Sequence, residues 1–272
     1  MHIPVNGHPL YAYTGGKPFN PAQPTVVFIH GVLNDHSVWA LQSRHLAHHG
    51  YNVLAIDLPG HMRSAGAPPA SVEEAAATVL ALLDAQGIER AALVGHSFGS
   101  LIALQAAANA PARVSHLALV GTAFPMKVSP ALLEASVSAP EKAIHMVNVF
   151  SHSTLCPPHA SGGAGGTWLP GASRALMRRV LASNRQANVF HTGFKACDSY
   201  AGGEQAMRAV QCPTLLLIGR HDQMTPPKAA RALAAHAAPG VPVQQVQVNA
   251  GHSLMTEAPD EVLHALTRFL AA

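Results

Sequence analysis

Ala91-Ala92-Leu93-Val94-Gly95-His96-Ser97-Phe98-Gly99-Ser100 decides how the chain reads. An apolar run, Ala91 to Val94, ends at Gly95; Ser97 stands two residues on, and an alanine-rich stretch to Ala108 has the composition of a helix. A serine at a strand-to-helix corner has a strained backbone, and small residues on both sides let the two elements close around it. The hydroxyl then stands above the sheet edge, over the helix N-terminus. Taken alone, the Gly-x-Ser-x-Gly spacing also fits a helix N-cap serine. What separates the two readings is context: a strand before, a helix after and chemical partners further on.

Upstream, Val26 to Ile29 and Val53 to Ile56 are continuous apolar runs, the signature of interior strands buried on both faces. Residues 2–13 read as a hairpin turning at Asn6-Gly7. Apolar residues at helical spacing fill Asp35 to His49, and Gly50 closes that helix. A further helix starts at Ser71, where Ser71 and Glu74 form a capping-box pattern, and ends at Gly87. Leu117 to Val120 and Leu215 to Ile218 read as buried strands, Val243 to Val248 as the last strand, and Pro226–Ala238 and Pro259–Leu270 as helices. Strand alternating with helix implies a mostly parallel sheet covered on both faces, a doubly wound α/β fold.

The alternation stops after Gly121. Residues 122–211 carry helical stretches (Pro130 to Phe150, Ala172 to Phe190) and a Gly-rich link at 162–166, with no buried-strand run. The expected organisation is a core of residues 1–121 and 212–272 with a helical cap inserted at 122–211, mobile around its glycines.

Composition narrows the function. At 272 residues, with 49% hydrophobic and 11% charged residues, the chain can bury a large core. A net charge of +3 without a basic run gives no footprint for nucleic acid. The 18 histidines are dispersed, and no helical His pair with an acidic partner suggests zinc. No phosphate loop or dinucleotide fingerprint follows a strand, so no cofactor is expected. Cys156, Cys197 and Cys212 are odd in number and far apart, which fits buried thiols in a reducing compartment. The first residues lack the basic start and apolar centre of a signal peptide, and no apolar stretch has membrane-spanning length. A cytoplasmic protein without a membrane span is the expectation; the oligomeric state is not readable.

A serine nucleophile needs a base, and the base an orienting carboxylate. Gly219-Arg220-His221-Asp222 follows one late strand and Asn249-Ala250-Gly251-His252 follows the last. Ser97, Asp222 and His252 therefore each stand just past a strand, where loops converge. Asp222 would otherwise be a turn residue and His252 a loop histidine.

This order resembles the α/β-hydrolase family. The motifs that carry the resemblance are His30-Gly31, Asp57-Leu58-Pro59-Gly60-His61, Gly95-His96-Ser97-Phe98-Gly99, Gly219-Arg220-His221-Asp222 and Gly251-His252. It covers residues 25–121 and 212–271 most clearly; residues 122–210 match nothing that can be tied to a substrate. The resemblance implies Ser97 as nucleophile, His252 as general base, Asp222 as its orienting acid, and the backbone N–H groups of Val32 and Phe98 as an oxyanion hole. It implies a serine hydrolase acting on a small carboxylic ester or related acyl substrate. Carbon–carbon bond hydrolases, cofactor-free perhydrolases and hydroxynitrile lyases share these parts, so the triad does not separate them. A ligand receptor that kept the triad is a third reading. An Asp-nucleophile dehalogenase or epoxide hydrolase is disfavoured, because Ser97 stands where those place Asp.

Other residues read as structural. His30 holds the loop after its strand, His96 and Phe98 pack beside the elbow, and Asp57 and His61 shape a turn. Trp39 belongs to the core; Met126, Met146 and Trp168 belong to the cap or line a pocket beneath it. Cys197 and Asp198 have no assigned role.

Overall fold

The computed structural model describes residues 1–153 and 168–272, with the Trp168 side chain left out. The Gly-rich link at 162–166, Cys156 and any pocket role of Trp168 lie outside the described residues.

Among the described residues, eight strands form one sheet in the order β1-β2-β4-β3-β5-β6-β7-β8. They are β1 (His2–Val5), β2 (His8–Tyr13), β3 (Thr25–Ile29), β4 (Asn52–Ile56), β5 (Ala91–His96), β6 (Val114–Val120), β7 (Thr214–Gly219) and β8 (Val243–Val248). The N-terminal hairpin pairs antiparallel with β4, and every pairing from β4 to β8 is parallel. Asn6 and Gly7 turn the hairpin with φ of 50° and 78°, as an Asn-Gly turn requires.

The helices are α1 (Ala40–His48), α2 (Val72–Ala85), α3 (Phe98–Asn109), α4 (Pro130–Ser138), α5 (Pro140–Ser151), α6 (Trp168–Ser183), α7 (Val189–Ser199), α8 (Gly203–Ala209), α9 (Pro227–Ala234), α10 (Leu254–Glu257) and α11 (Pro259–Leu270). A 3₁₀ turn, His36–Trp39, leads into α1 and is capped by the Asp35 carboxylate. Strand residues alternate between two cores because a strand's side chains point to opposite faces. Val27, Ile29, Leu54, Leu93 and Leu216 join a core shared with α2, α3 and the helices between β6 and β7. Val26, Phe28, Val53, Val94 and Leu215 join the other, with Trp39, Leu46 of α1 and Leu266 of α11. Trp39 is a core residue, its ring 5.0 Å from that of Phe28.

Several helical stretches differ from the sequence expectation: α9 stops at Ala234, short of Ala238, and the segment expected as one helix over Asp35–His49 begins with the 3₁₀ turn. Residues 130–150 form two helices, broken at Ala139, whose φ of −146° and ψ of 66° are non-helical. Pro140 explains the break, since a proline disfavours the helical conformation of the residue before it. The stretch 172–190 likewise ends early, at Ser183. Asn184 Oδ1 accepts hydrogen bonds from the backbone N–H of Gln186 and Ala187. Asn188 then caps α7 through Phe190 N and His191 N. Helices α4 to α8 all fall between β6 and β7, and no strand occurs there among the described residues. The Ser71 cap also varies the expected pattern: Ser71 Oγ accepts from Glu74 N, but Glu74 Oε2 reaches back to Ala70 N at 2.8 Å.

Candidate active site

Strand β5 ends at His96, and Ser97 has φ of 54° and ψ of −119° before α3 begins. That backbone is sparsely populated for a residue with a Cβ and is held by its surroundings. Ser97 N–H donates to Val120 O at 2.9 Å, and Ser100 N–H donates to Ser97 O at 2.8 Å. Ser100 Oγ also donates to Ser97 O and lies 2.9 Å from Thr122 Oγ1. Gly95 and Gly99 make the corner sterically possible. A Cβ on Gly95 would collide with the Gly99 carbonyl, and one on Gly99 with the carbonyls of Ile29 and His30. Gly99 therefore lets α3 start against the segment after β3.

That segment carries Gly31 and Val32. Gly31 lies against the Ser97 side chain, and a Cβ there would stand 3.1 Å from Ser97 Cβ. His30 fixes it in place: its Nε2 accepts from Leu58 N–H at 3.0 Å, so Nδ1–H donates to Gly31 O at 2.8 Å. Burial lowers the His30 pKa, consistent with this neutral tautomer. Asp57 and His61 shape the neighbouring turn. Asp57 accepts from His36 N–H and ring Nδ1, and His61 Nδ1 lies 3.0 Å from Pro59 O.

Asp222 and His252 meet. His252 Nδ1 lies 2.8 Å from Asp222 Oδ2, with both side chains buried. Asp222 sits in a tight turn after β7, where its Oδ1 accepts from Met224 N–H and Thr225 N–H. Thr225 Oγ1 donates to Asp222 Oδ2 at 2.6 Å and lies 3.1 Å from His252 Nδ1. Burial works against the Asp222 carboxylate, but the His252 charge and the hydrogen bonds from His252 and Thr225 outweigh it and hold its pKa low. His252 and Ser97 line the same cavity of about 410 Å³, together with Val32. Phe98 is buried, as a packing residue should be.

Two fixings of the His252 loop escape the sequence reading. His96 does more than pack: its Nε2–H donates to His252 O at 2.9 Å, and its pKa falls to about 3 through burial. Glu257 accepts from Gly251 N–H and, at 2.6 Å, from Ser153 N–H, while Ser253 N–H donates to Ser151 O. The exit of α5 is thereby tied to the loop that carries His252. The Asx-turn spacing marks Met224, two residues after Asp222, and Thr225 follows it; no local pattern marks a bond as distant as Glu257 to Ser153. Cys197 and Cys212 are buried free thiols whose pKa burial raises. The Asp198 carboxylate accepts from Val128 N–H. No cluster of three or more His, Cys, Asp or Glu side chains placed for a metal occurs among the described residues. Nor is any helix there long and apolar enough to cross a membrane.

A doubly wound sheet with a serine at a strained strand-to-helix corner and a buried Asp–His pair at the same rim defines the α/β-hydrolase class of fold. The chain matches the alpha/beta hydrolase family model over residues 26–265, and it belongs to that family. It is 30% identical over 257 residues to the dihydrolipoyllysine-residue acetyltransferase component of the acetoin cleaving system of Pseudomonas putida, covering 90% of this chain and 63% of that protein. It is 35% identical over 126 residues to the lipase LipV of Mycobacterium tuberculosis, covering 45% of this chain and 48% of that one. The chain spans less than two thirds of the length of these curated relatives. The enol-lactonase of Burkholderia xenovorans LB400 superposes with a TM-score of 0.85 at 23% identity, covering 100% of both chains. The esterase of Exiguobacterium antarcticum gives 0.82 at 18% identity, covering 100% of this chain and 99% of that one. At those identities the likeness is one of fold.

Proposed function

We propose that the chain is a serine hydrolase that cleaves a carboxylic ester or related acyl substrate through an acyl-enzyme on Ser97. The observation that carries this reading is the 2.8 Å Asp222–His252 contact beside a cavity that Ser97 also lines. Ser97 Oγ attacks the substrate carbonyl carbon as His252 Nε2 takes its proton. Asp222, held by the 224–225 turn, keeps the other nitrogen protonated and favours the imidazolium that forms. The carbonyl oxygen becomes an oxyanion against the N–H groups of Val32 and Phe98, and loss of one such donor typically costs about 2.7–4 kcal/mol. His252 returns the proton to the leaving group. Water, activated by the same imidazole, then releases the acid and restores Ser97. Helices α4 to α8 form a cap over this rim in the same reading, residues 122–211.

Labelling with a fluorophosphonate tests the proposal. Stoichiometric modification of Ser97, abolished in Ser97→Ala and strongly slowed in His252→Ala, is the expected outcome. Labelling that persists in Ser97→Ala would remove it.

A further inference from the structure

Ser97 lines two neighbouring cavities that differ in size and in which residues of the site they include. The larger, about 410 Å³, includes Val32 and His252; its wall is mainly apolar, with Val147, Leu176, Met177 and Met255, and carries the polar side chains of Asn34 and Arg179. Arg179 is anchored there by Asp35 at 3.2 Å. The smaller, about 230 Å³, has Met126, Leu132, Met146 and Phe150 in its wall beside the polar Lys127 and Gln223, with neither His252 nor Val32 among its lining. Phe194 of α7 and Met224 line both, so they form the partition between them. The partition is fixed from below: Met224 N–H donates to Asp222 Oδ1 at 2.8 Å.

Reaction geometry assigns the two spaces. The tetrahedral carbon on Ser97 Oγ has three other substituents: the oxyanion, the leaving-group atom and the acyl chain. The leaving-group atom must lie within hydrogen-bond reach of His252 Nε2 to receive its proton. The oxyanion must face the Val32 and Phe98 N–H groups. Both requirements point into the larger cavity, because Val32 and His252 line that one. The acyl chain is left with the smaller space.

Resting on the acyl-enzyme reading above, we infer that the cavity beside Met126, Leu132 and Met146 binds the acyl chain, and that the larger cavity takes a sizeable leaving group. The substrate class is an ester or thioester of an unbranched, apolar, medium-chain acid. An apolar cavity of about 150 Å³ holds benzene, roughly 25 Å³ per carbon, so 230 Å³ holds about eight or nine carbons. Methionine side chains adapt to a flexible chain, which suits this wall.

The test is a series of p-nitrophenyl esters from acetyl to dodecanoyl, with kcat/KM expressed relative to acetyl, for the wild type and four variants. The wild type is expected to peak at hexanoyl or octanoyl. Met146→Trp fills the smaller cavity and should lower the octanoyl-to-acetyl ratio at least about tenfold. Leu132→Ala enlarges it and should move the peak to a longer chain. Phe194→Ala opens the partition and should flatten the profile. Leu176→Trp narrows the larger cavity; it should leave the chain-length profile in place while lowering the ratio for octanoyl esters of bulky alcohols over methyl octanoate. Thermal melts establish that each variant folds, and if Met146→Trp does not, Leu132→Ala and Leu176→Trp decide the matter alone. A shortened acyl preference in Leu176→Trp, or a profile indifferent to both Met146→Trp and Leu132→Ala, overturns the assignment. Ser97-dependent labelling with such a profile sinks only this inference, whereas ester turnover surviving in Ser97→Ala sinks the acyl-enzyme itself.

Discussion

His96 Nε2 lies 2.9 Å from the backbone carbonyl of His252, so the residue just before Ser97 holds the loop that carries the imidazole. The two rings stand 4.7 Å apart. His96 and His252 lie 156 residues apart in sequence, and this bond fixes the segment before Ser97 against the loop of His252. Replacing His96 by Ala removes the donor and leaves a buried carbonyl unpaired, which costs about 1–3 kcal/mol. The expected result is a fall in kcat of at least about tenfold with KM little changed, because misplacement of a reacting group acts on the transition state. Steady-state kinetics with a denaturation curve on the same variant check it; unchanged kcat in a folded variant would show that the bond does not position the base.

Glu257 fixes the same loop from the other side. Glu257→Gln puts an amide NH₂ against one of two backbone N–H groups that the carboxylate now accepts from. Stability is expected to drop by about 1–3 kcal/mol, with kcat falling alongside it. Urea denaturation and steady-state rates measure both. Equal stability in Gln and wild type would mean that the loop holds without the carboxylate.

Ser97 itself is expected to be destabilising. A positive φ of 54° on a residue with a Cβ costs about 1–3 kcal/mol. Ser97→Gly should therefore raise the melting temperature, and Ser97→Ala should not, although both abolish turnover. Calorimetry of the two inactive variants separates backbone strain from lost chemistry. Gly95→Ala is the converse case: its Cβ would meet the Gly99 carbonyl, and severe loss of folded protein is expected.

Buried histidines set the response to acid. Burial lowers the pKa of both His61 and His96 from 6.5 to about 3. Between those limits the unfolded chain binds more protons than the folded one, so stability falls as pH drops from 6.5 towards 3. Each group adds up to about 1.4 kcal/mol per pH unit to that slope. The low pKa of Asp222 adds a further loss only at the acid end, when its carboxylate protonates. Unfolding free energies at pH 7 and pH 5 should differ less in His61→Gln than in the wild type. An identical difference would show that His61 is not buried neutral.

What the sequence makes legible follows from physics. The parallel strands stand out because Val27, Leu54, Leu93 and Leu216 are buried on one face and their neighbours on the other, leaving unbroken apolar runs. The elbow is legible because its tight corner needs small residues at 95 and 99, next to Ser97 itself. Asp222 and His252 are readable as strand-end residues, and the fold brings them within hydrogen-bond distance of each other. The helices between β6 and β7 are harder, since apolar spacing runs through Ala139 and past Ser183, and only Pro140, Asn184 and Asn188 mark the breaks. The bonds from His96 to His252 and from Glu257 to Ser153 are invisible locally because each spans about a hundred residues or more. Cavity shape is equally non-local.

Trapping the intermediate tests the chemistry most directly. The protein is mixed with p-nitrophenyl hexanoate, quenched in acid within the burst and analysed by intact-mass and peptide mass spectrometry. A hexanoyl increment on the peptide containing Ser97, accumulating with the first equivalent of p-nitrophenol and missing from Ser97→Ala, is the expected result. Steady ester turnover by Ser97→Ala, with no acyl adduct at Ser97 in the wild type, would contradict it.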